Sequence, residues 1–90
     1  MSNFSTDAVR AGIESDQQYG AITPPLYLTT NYSFAGFNEK REFDYCRSGN
    51  PTRQTLEQAL TTLEQGAGAT ITSSGMAAVS LPLQLVKPGD

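Results

Sequence analysis

The sequence predicts an α/β architecture preceded by an extended N-terminal arm. Three observations lead there. Asn50-Pro51 opens an amphipathic helix, Ala67 to Thr72 reads as a short buried strand of small residues, and Ser73-Ser74-Gly75 turns into a second helix. Helix, strand and helix in that order open an α/β domain. Gly20, Pro24 and Pro25 break the first fifty residues, so no continuous helix runs through them. The expected division is an arm over residues 1–50 and the start of an α/β domain over 51–90.

Within the arm, Thr6 to Gly12 predicts one short helical turn, started by Thr6 and ended by Gly12. Leu26 to Phe34 is rich in strand-type residues and has no clean partner nearby. It is expected to lie on another domain or another subunit, anchored by Tyr27, Tyr32, Phe34 and Phe37. Asn50 is suited to cap a helix and Pro51 to occupy its first position. Leu56, Ala59, Leu60 and Leu63 then recur at i, i+3, i+4 and i+7 on one apolar stripe, with Glu57 and Glu64 off it. Gly66 is expected to stop this helix. The second helix is expected over Met76–Val86, kinked at Pro82, before a loop at Lys87-Pro88-Gly89-Asp90. One strand cannot make a sheet. The chain is therefore expected to be part of a longer protein or to depend on partners.

Composition excludes several functions. Ninety residues allow one small domain of marginal stability. The six Lys and Arg are scattered and the net charge is −3, which is no nucleic-acid footprint. No apolar run is long enough to span a membrane, and Met1 to Asp7 lacks the basic start and apolar stretch of a signal peptide. A cytoplasmic setting is the expectation. Cys46 is the single cysteine, so no internal disulfide framework exists. With no histidine, neither a Ser-His-Asp arrangement nor the usual zinc site is available, and no metal site is expected.

Two segments carry candidate chemistry. Free amides at a helix start, aided by the helix dipole, favour an anion. Gly75 lets the backbone approach a phosphate closely, and the amides of Gly75 and Met76 are the candidate donors. Taken alone, this motif reads first as an ordinary turn with a serine cap. The other segment is Asp44-Tyr45-Cys46-Arg47-Ser48. A guanidinium meets a phosphate with two parallel hydrogen bonds, and a phenol adds a third. If the segment is extended, Tyr45 and Arg47 point the same way and face one anion, while Cys46 points away. Taken alone, these read first as a half-buried Tyr and a surface Arg, flanked by the ordinary surface residues Asp44, Ser48 and Arg53.

The pieces gain weight together. Tyr19-Gly20-Ala21-Ile22-Thr23-Pro24-Pro25-Leu26-Tyr27 looks like the "G-A-x-x-P-P-I" start of the Cys/Met-metabolism pyridoxal-phosphate enzymes. Tyr45 to Arg53 matches that family's "Y-S-R-x-G-N-P-T-R", with Cys46 in place of the first serine. Leu63-Glu64-Gln65-Gly66 and Ser74-Gly75-Met76-Ala77-Ala78 resemble "L-E-G-G" and "S-G-M-A-A" at the family spacing, and Asn31 to Glu39 is similar to the family's bacterial gamma-synthases. The resemblance runs through nearly the whole chain.

The resemblance implies the front of a fold-type-I transferase large domain, like that of aspartate aminotransferase, and pyridoxal 5'-phosphate as cofactor. Gly75 and Met76 would hold the cofactor phosphate through backbone amides. Tyr45 and Arg47 would reach the phosphate of the neighbouring subunit's cofactor, in a homotetramer whose sites are shared across a dimer interface. Asp44, Tyr45 and Ser48 would line the substrate pocket. Some gamma-synthases carry a second Arg where Ser48 stands here. The implied reaction joins an O-acylhomoserine, such as O-succinylhomoserine, to L-cysteine to give L-cystathionine on the way to methionine. Sister lyases and sulfhydrylases share the same phosphate grip. The cofactor-bearing lysine would lie downstream, because neither Lys40 nor Lys87 sits in the family's lysine context. Residues 1–90 alone are then inactive and contain no catalytic residue. A non-catalytic module that docks on such an enzyme is the alternative from another class.

Overall fold

A computed structural model describes residues 3–90. Three helices run in the order α1 (Phe4–Val9), α2 (Pro51–Leu63) and α3 (Gly75–Leu83). Everything between them is turn and irregular chain. The radius of gyration is 16.2 Å, against about 12 Å for a compact domain of this length. The accessible surface is 7591 Å², against about 5,100 Å² for a compact monomer of this mass. No described residue is fully buried. α2 and α3 likewise bury no residue fully among the described residues.

Local chemistry explains the helix ends. Asn3 caps α1 by accepting the Ser5 amide at 2.8 Å, so the helix starts earlier than the expected Thr6 and ends at Val9 rather than Gly12. Gly12 has another role: its φ is +77°, and a Cβ there would meet Thr55 Cγ2 of α2 at 2.8 Å and Pro24 Cγ at 3.1 Å. A left-handed backbone and a close approach both select glycine. α1 packs on α2 just before this point.

α2 begins as the sequence predicts, with Asn50 as cap and Pro51 in the first turn. Its end differs. Gln65, at φ +52°, takes the left-handed position expected for Gly66. The Gly66 amide donates to the Thr61 carbonyl at 2.9 Å and that of Gln65 to Thr62 at 3.2 Å. This is the paired closure of a Schellman motif, with the glycine one step further along. The stripe on α2 is only partly covered, with Leu56 and Leu60 exposed.

The expected strand over 67–72 does not form. A strand exists only as part of a ladder, and no ladder partner lies among the described residues. The Ile71 amide instead donates to Glu57 Oε2 at 3.1 Å. α3 stops at Leu83, short of the expected Val86. Pro82 has no N–H to give, and the chain beyond it closes with i→i−3 bonds: Gln84 to Leu81, Leu85 to Pro82 and Val86 to Leu83.

The stretch 26–34 is held by isolated contacts rather than by a sheet. Asn31 and Tyr45 form a lone antiparallel bridge, and the Cys46 amide donates to the Thr30 carbonyl at 2.8 Å. Tyr32 packs on Phe43 with ring centroids 5.8 Å apart. Of the four expected aromatic anchors, Tyr32 is the best covered. Tyr27 and Phe34 are exposed, and Phe37 is fully so.

Before this stretch, Asp16 organises a turn by accepting the Gln18 and Ala21 amides, each at 3.0 Å. The bond from Ala21, then that from Gln18, holds its carboxyl below the ordinary value of 3.8. A depressed folded value contributes stability above the unfolded value, and that stability is lost as pH falls through the folded one. Hydrogen exchange at Gln18 and Ala21, corrected for its intrinsic pH dependence, is therefore expected to quicken below about pH 4. The Asp16→Asn variant should lack that dependence. An acid-insensitive turn in the unaltered protein would refute the carboxylate's role.

Candidate functional site

Tyr45 and Arg47 lie together, though by a different geometry from the one expected. Residues 45–48 form a turn, not an extended run, with the Ser48 and Gly49 amides donating to the Tyr45 carbonyl at 3.0 and 3.1 Å. The turn folds the Arg47 guanidinium over the Tyr45 ring, 5.6 Å from its centroid. At that distance the ring quadrupole attracts the cation and limits where it stands. Arg53, from the first turn of α2, donates through Nη2 to the Arg47 carbonyl at 3.4 Å. Asp44 is half-buried and Ser48 exposed on the same turn, and Cys46 is half-buried between Tyr45 and Arg47.

The second half is the start of α3. Ser74 caps it, with Oγ accepting the Ala77 amide at 3.1 Å and its carbonyl accepting the Ala78 amide at 3.1 Å. Thr72 Oγ1 donates to the same carbonyl at 3.0 Å and fixes the approach to the helix. Among the described residues the amides of Gly75 and Met76 have no acceptor. Nothing lies within 4 Å of the point where a Gly75 Cβ would stand. Two free donors at the positive end of a helix, with open access, suit a phosphate-sized anion.

No direct bond ties the two candidate segments to each other among the described residues. α3 packs on neither α1 nor α2 among the described residues. No hydrogen bond joins the 44–48 turn to Ser73, Ser74, Gly75 or Met76. The described residues contain no group of three or more His, Cys, Asp or Glu that could hold a metal ion. No described helix is long and apolar enough to cross a membrane.

Sequence reasoning misses how the turn is supported. Asn50 is legible as a cap, yet its amide nitrogen also reaches back to the Tyr27 carbonyl at 3.2 Å and the Tyr32 hydroxyl at 3.0 Å. Thr52 accepts the Tyr27 amide at 2.8 Å. These contacts span 18 to 25 positions, and no local pattern announces them.

Known proteins match the chain along its length. Cystathionine gamma-synthase of Escherichia coli (strain K12) is 51% identical over 87 residues, 96% of this chain and 22% of that protein. Cystathionine beta-lyase of Lactococcus lactis subsp. cremoris (strain MG1363) is 38% identical over 90 residues, 100% of this chain and 24% of that protein. The crystal structure of cystathionine gamma synthase from Xanthomonas oryzae pv. oryzae in complex with cystathionine superposes with a TM-score of 0.91 and 56% identity, covering 100% of this chain and 24% of that one. The chain thus spans about a quarter of the length of the proteins it matches and has the fold of that quarter. Its relatives are pyridoxal-phosphate enzymes. The family pattern itself runs over residues 5–90, taking in both candidate segments, and the chain belongs to the Cys/Met metabolism PLP-dependent enzymes.

Proposed function

We propose that this segment supplies the phosphate grip of a cystathionine gamma-synthase. Such an enzyme joins an O-acylhomoserine, with O-succinylhomoserine the first candidate, to L-cysteine. The products are L-cystathionine and the free acid, a step of methionine biosynthesis in the cytoplasm. The observation that carries this reading is the start of α3, where two free amides stand over open space at Gly75. The donor set fits pyridoxal phosphate, whose phosphate is an anion needing several fixed N–H and O–H donors. When bound, the cofactor supplies an electron sink that lets the ester leave from the gamma carbon.

In this reading the chain's own residues bind and orient. The Gly75 and Met76 amides hold the phosphate of their own subunit's cofactor. Tyr45 and Arg47 reach the phosphate of the neighbouring subunit's cofactor. Asp44, Tyr45 and Ser48 border the substrate pocket. Residues 1–50 act as an inter-subunit arm, and residues 51–90 begin an α/β domain whose sheet is completed outside them. The assembly is a homotetramer of two such dimers. The gamma-synthase choice rests on identities of 51% and 56% to two gamma-synthases against 38% to a beta-lyase. The beta-lyase match supports a second reading, in which cystathionine is cleaved.

Product analysis separates them. A full-length enzyme carrying these residues is expected to release cystathionine and succinate from O-succinylhomoserine and cysteine. The chain of residues 1–90 alone is expected to release none, since Lys40 and Lys87 are both exposed and lie in neither half of the grip. Cleavage of cystathionine as the dominant activity would replace the synthase reading with the lyase one. Turnover by residues 1–90 alone would overturn the claim that the grip performs no chemistry.

A further inference from the structure

Tyr27 sits in a stretch without a strand partner, yet both of its backbone groups are paired. Its amide donates to Thr52 Oγ1 at 2.8 Å, and its carbonyl accepts from Asn50 Nδ2 at 3.2 Å. Two side chains at the start of α2 thus do what a neighbouring strand would otherwise do. Asn50 Nδ2 also donates to the Tyr32 hydroxyl at 3.0 Å, and Thr52 Oγ1 donates to the Pro25 carbonyl at 3.5 Å. The same stretch also meets the turn that carries Tyr45 and Arg47: the Thr30 carbonyl accepts the Cys46 amide, Asn31 bridges Tyr45, and Tyr32 packs on Phe43. Residues 27–32 therefore make specific contacts both with the start of α2 and with the turn that carries Tyr45 and Arg47.

We infer that Asn50 and Thr52 are positioning residues for the phosphate grip. Their side chains set the register of residues 27–32 on α2, and that stretch sets where the Tyr45 phenol and Arg47 guanidinium stand. The inference rests on the reading of Arg47 as a phosphate ligand. It adds a role to two residues that capping alone does not explain. As a cap, Asn50 needs only Oδ1, which accepts the Thr52 amide at 2.8 Å. The Nδ2 donors serve the arm.

Capping and positioning are separable. Asn50→Asp keeps an oxygen for the Thr52 amide and caps as well as asparagine, but it has no N–H to give. Thr52→Val keeps the shape of the side chain and loses the hydroxyl, whereas Thr52→Ser keeps the hydroxyl. Each variant is made in the full-length protein, alone and together with Arg47→Ala. The apoprotein is titrated with pyridoxal phosphate, and its melting temperature is recorded. Asn50→Asp and Thr52→Val are each expected to raise the Kd roughly three- to tenfold, as loss of one or two neutral hydrogen bonds implies. Thr52→Ser should stay at the unaltered value, and the melting temperature should hold. In the Arg47→Ala background the same changes should have little further effect, because the group they position is gone. Should Asn50→Asp unfold the protein, the cycle is read on the Thr52 pair. Fully additive losses, or an unchanged Kd in both Asn50→Asp and Thr52→Val, would overturn the inference and leave the phosphate reading standing. An unchanged Kd in Arg47→Ala alone would overturn both.

Discussion

Replacing Arg47 by alanine is expected to weaken pyridoxal-phosphate binding to the full-length protein by about ten- to a hundredfold. Loss of charge-assisted hydrogen bonds to a phosphate is worth roughly 1.5–3 kcal/mol, which sets that range. Little of the loss should come from the fold, because Arg47 is exposed and touches the Tyr45 ring rather than a core. Arg47→Lys should recover only part of it. A lysine keeps the charge but not the planar fork that binds two phosphate oxygens, and it stacks less well over a phenol. The measurement is a titration of apoprotein followed by cofactor absorbance, with the melting temperature as control. A Kd within twofold of the unaltered protein would remove Arg47 from the grip.

The Gly75→Val variant is expected to lose more. Within this chain an added Cβ has room, because nothing beyond the local helix backbone lies within 4 Å of it and Gly75 is not among the residues of positive φ. A loss of affinity at an unchanged melting temperature would then point to what approaches the helix start from outside. A phosphate held by the Gly75 and Met76 amides leaves no room for a branched side chain. Displacing it forfeits two hydrogen bonds to a charged group, roughly 3–6 kcal/mol, or more than about a hundredfold in Kd. Gly75→Ala should fall between. A valine variant that binds the cofactor normally would show that the phosphate does not sit over Gly75.

What the sequence made legible is what short-range chemistry determines. The start of α2 is readable because Asn50 and Pro51 act on the next two residues. The start of α3 is readable for the same reason, with Ser74 capping Ala77 three positions on. The helix ends are less so. Gln65 takes a left-handed position that Gly66 would occupy at less strain, and only the bond from Gly66 to Thr61 reveals why the chain closes there. The residues of the candidate site are nameable from their types, but the relation between Tyr45 and Arg47 is not. Alternation along a strand puts both on one face, and the structure achieves their contact by a turn. The segment 67–72 has strand-like composition but no ladder among the described residues, and composition cannot supply a partner. The side-chain bonds to Tyr27 escape reading altogether, because they join residues far apart in sequence.

The lone bridge between Asn31 and Tyr45 has a thermodynamic consequence for any ligand of the turn. A rung inside a sheet is backed by its neighbours and opens only when they do. A single rung has no such cooperativity, and its opening free energy is small compared with that of a packed core. The Tyr45–Arg47 turn, tied to the arm by this rung, the Cys46–Thr30 bond and the Tyr32–Phe43 contact, is expected to open more readily than a site within a sheet. An anion that closes on it must also quench that motion, so part of the intrinsic attraction is offset by lost conformational entropy. Affinity at this turn then depends on preorganisation as much as on charge. A surface that covers the turn in advance would tighten binding without touching the anion at all.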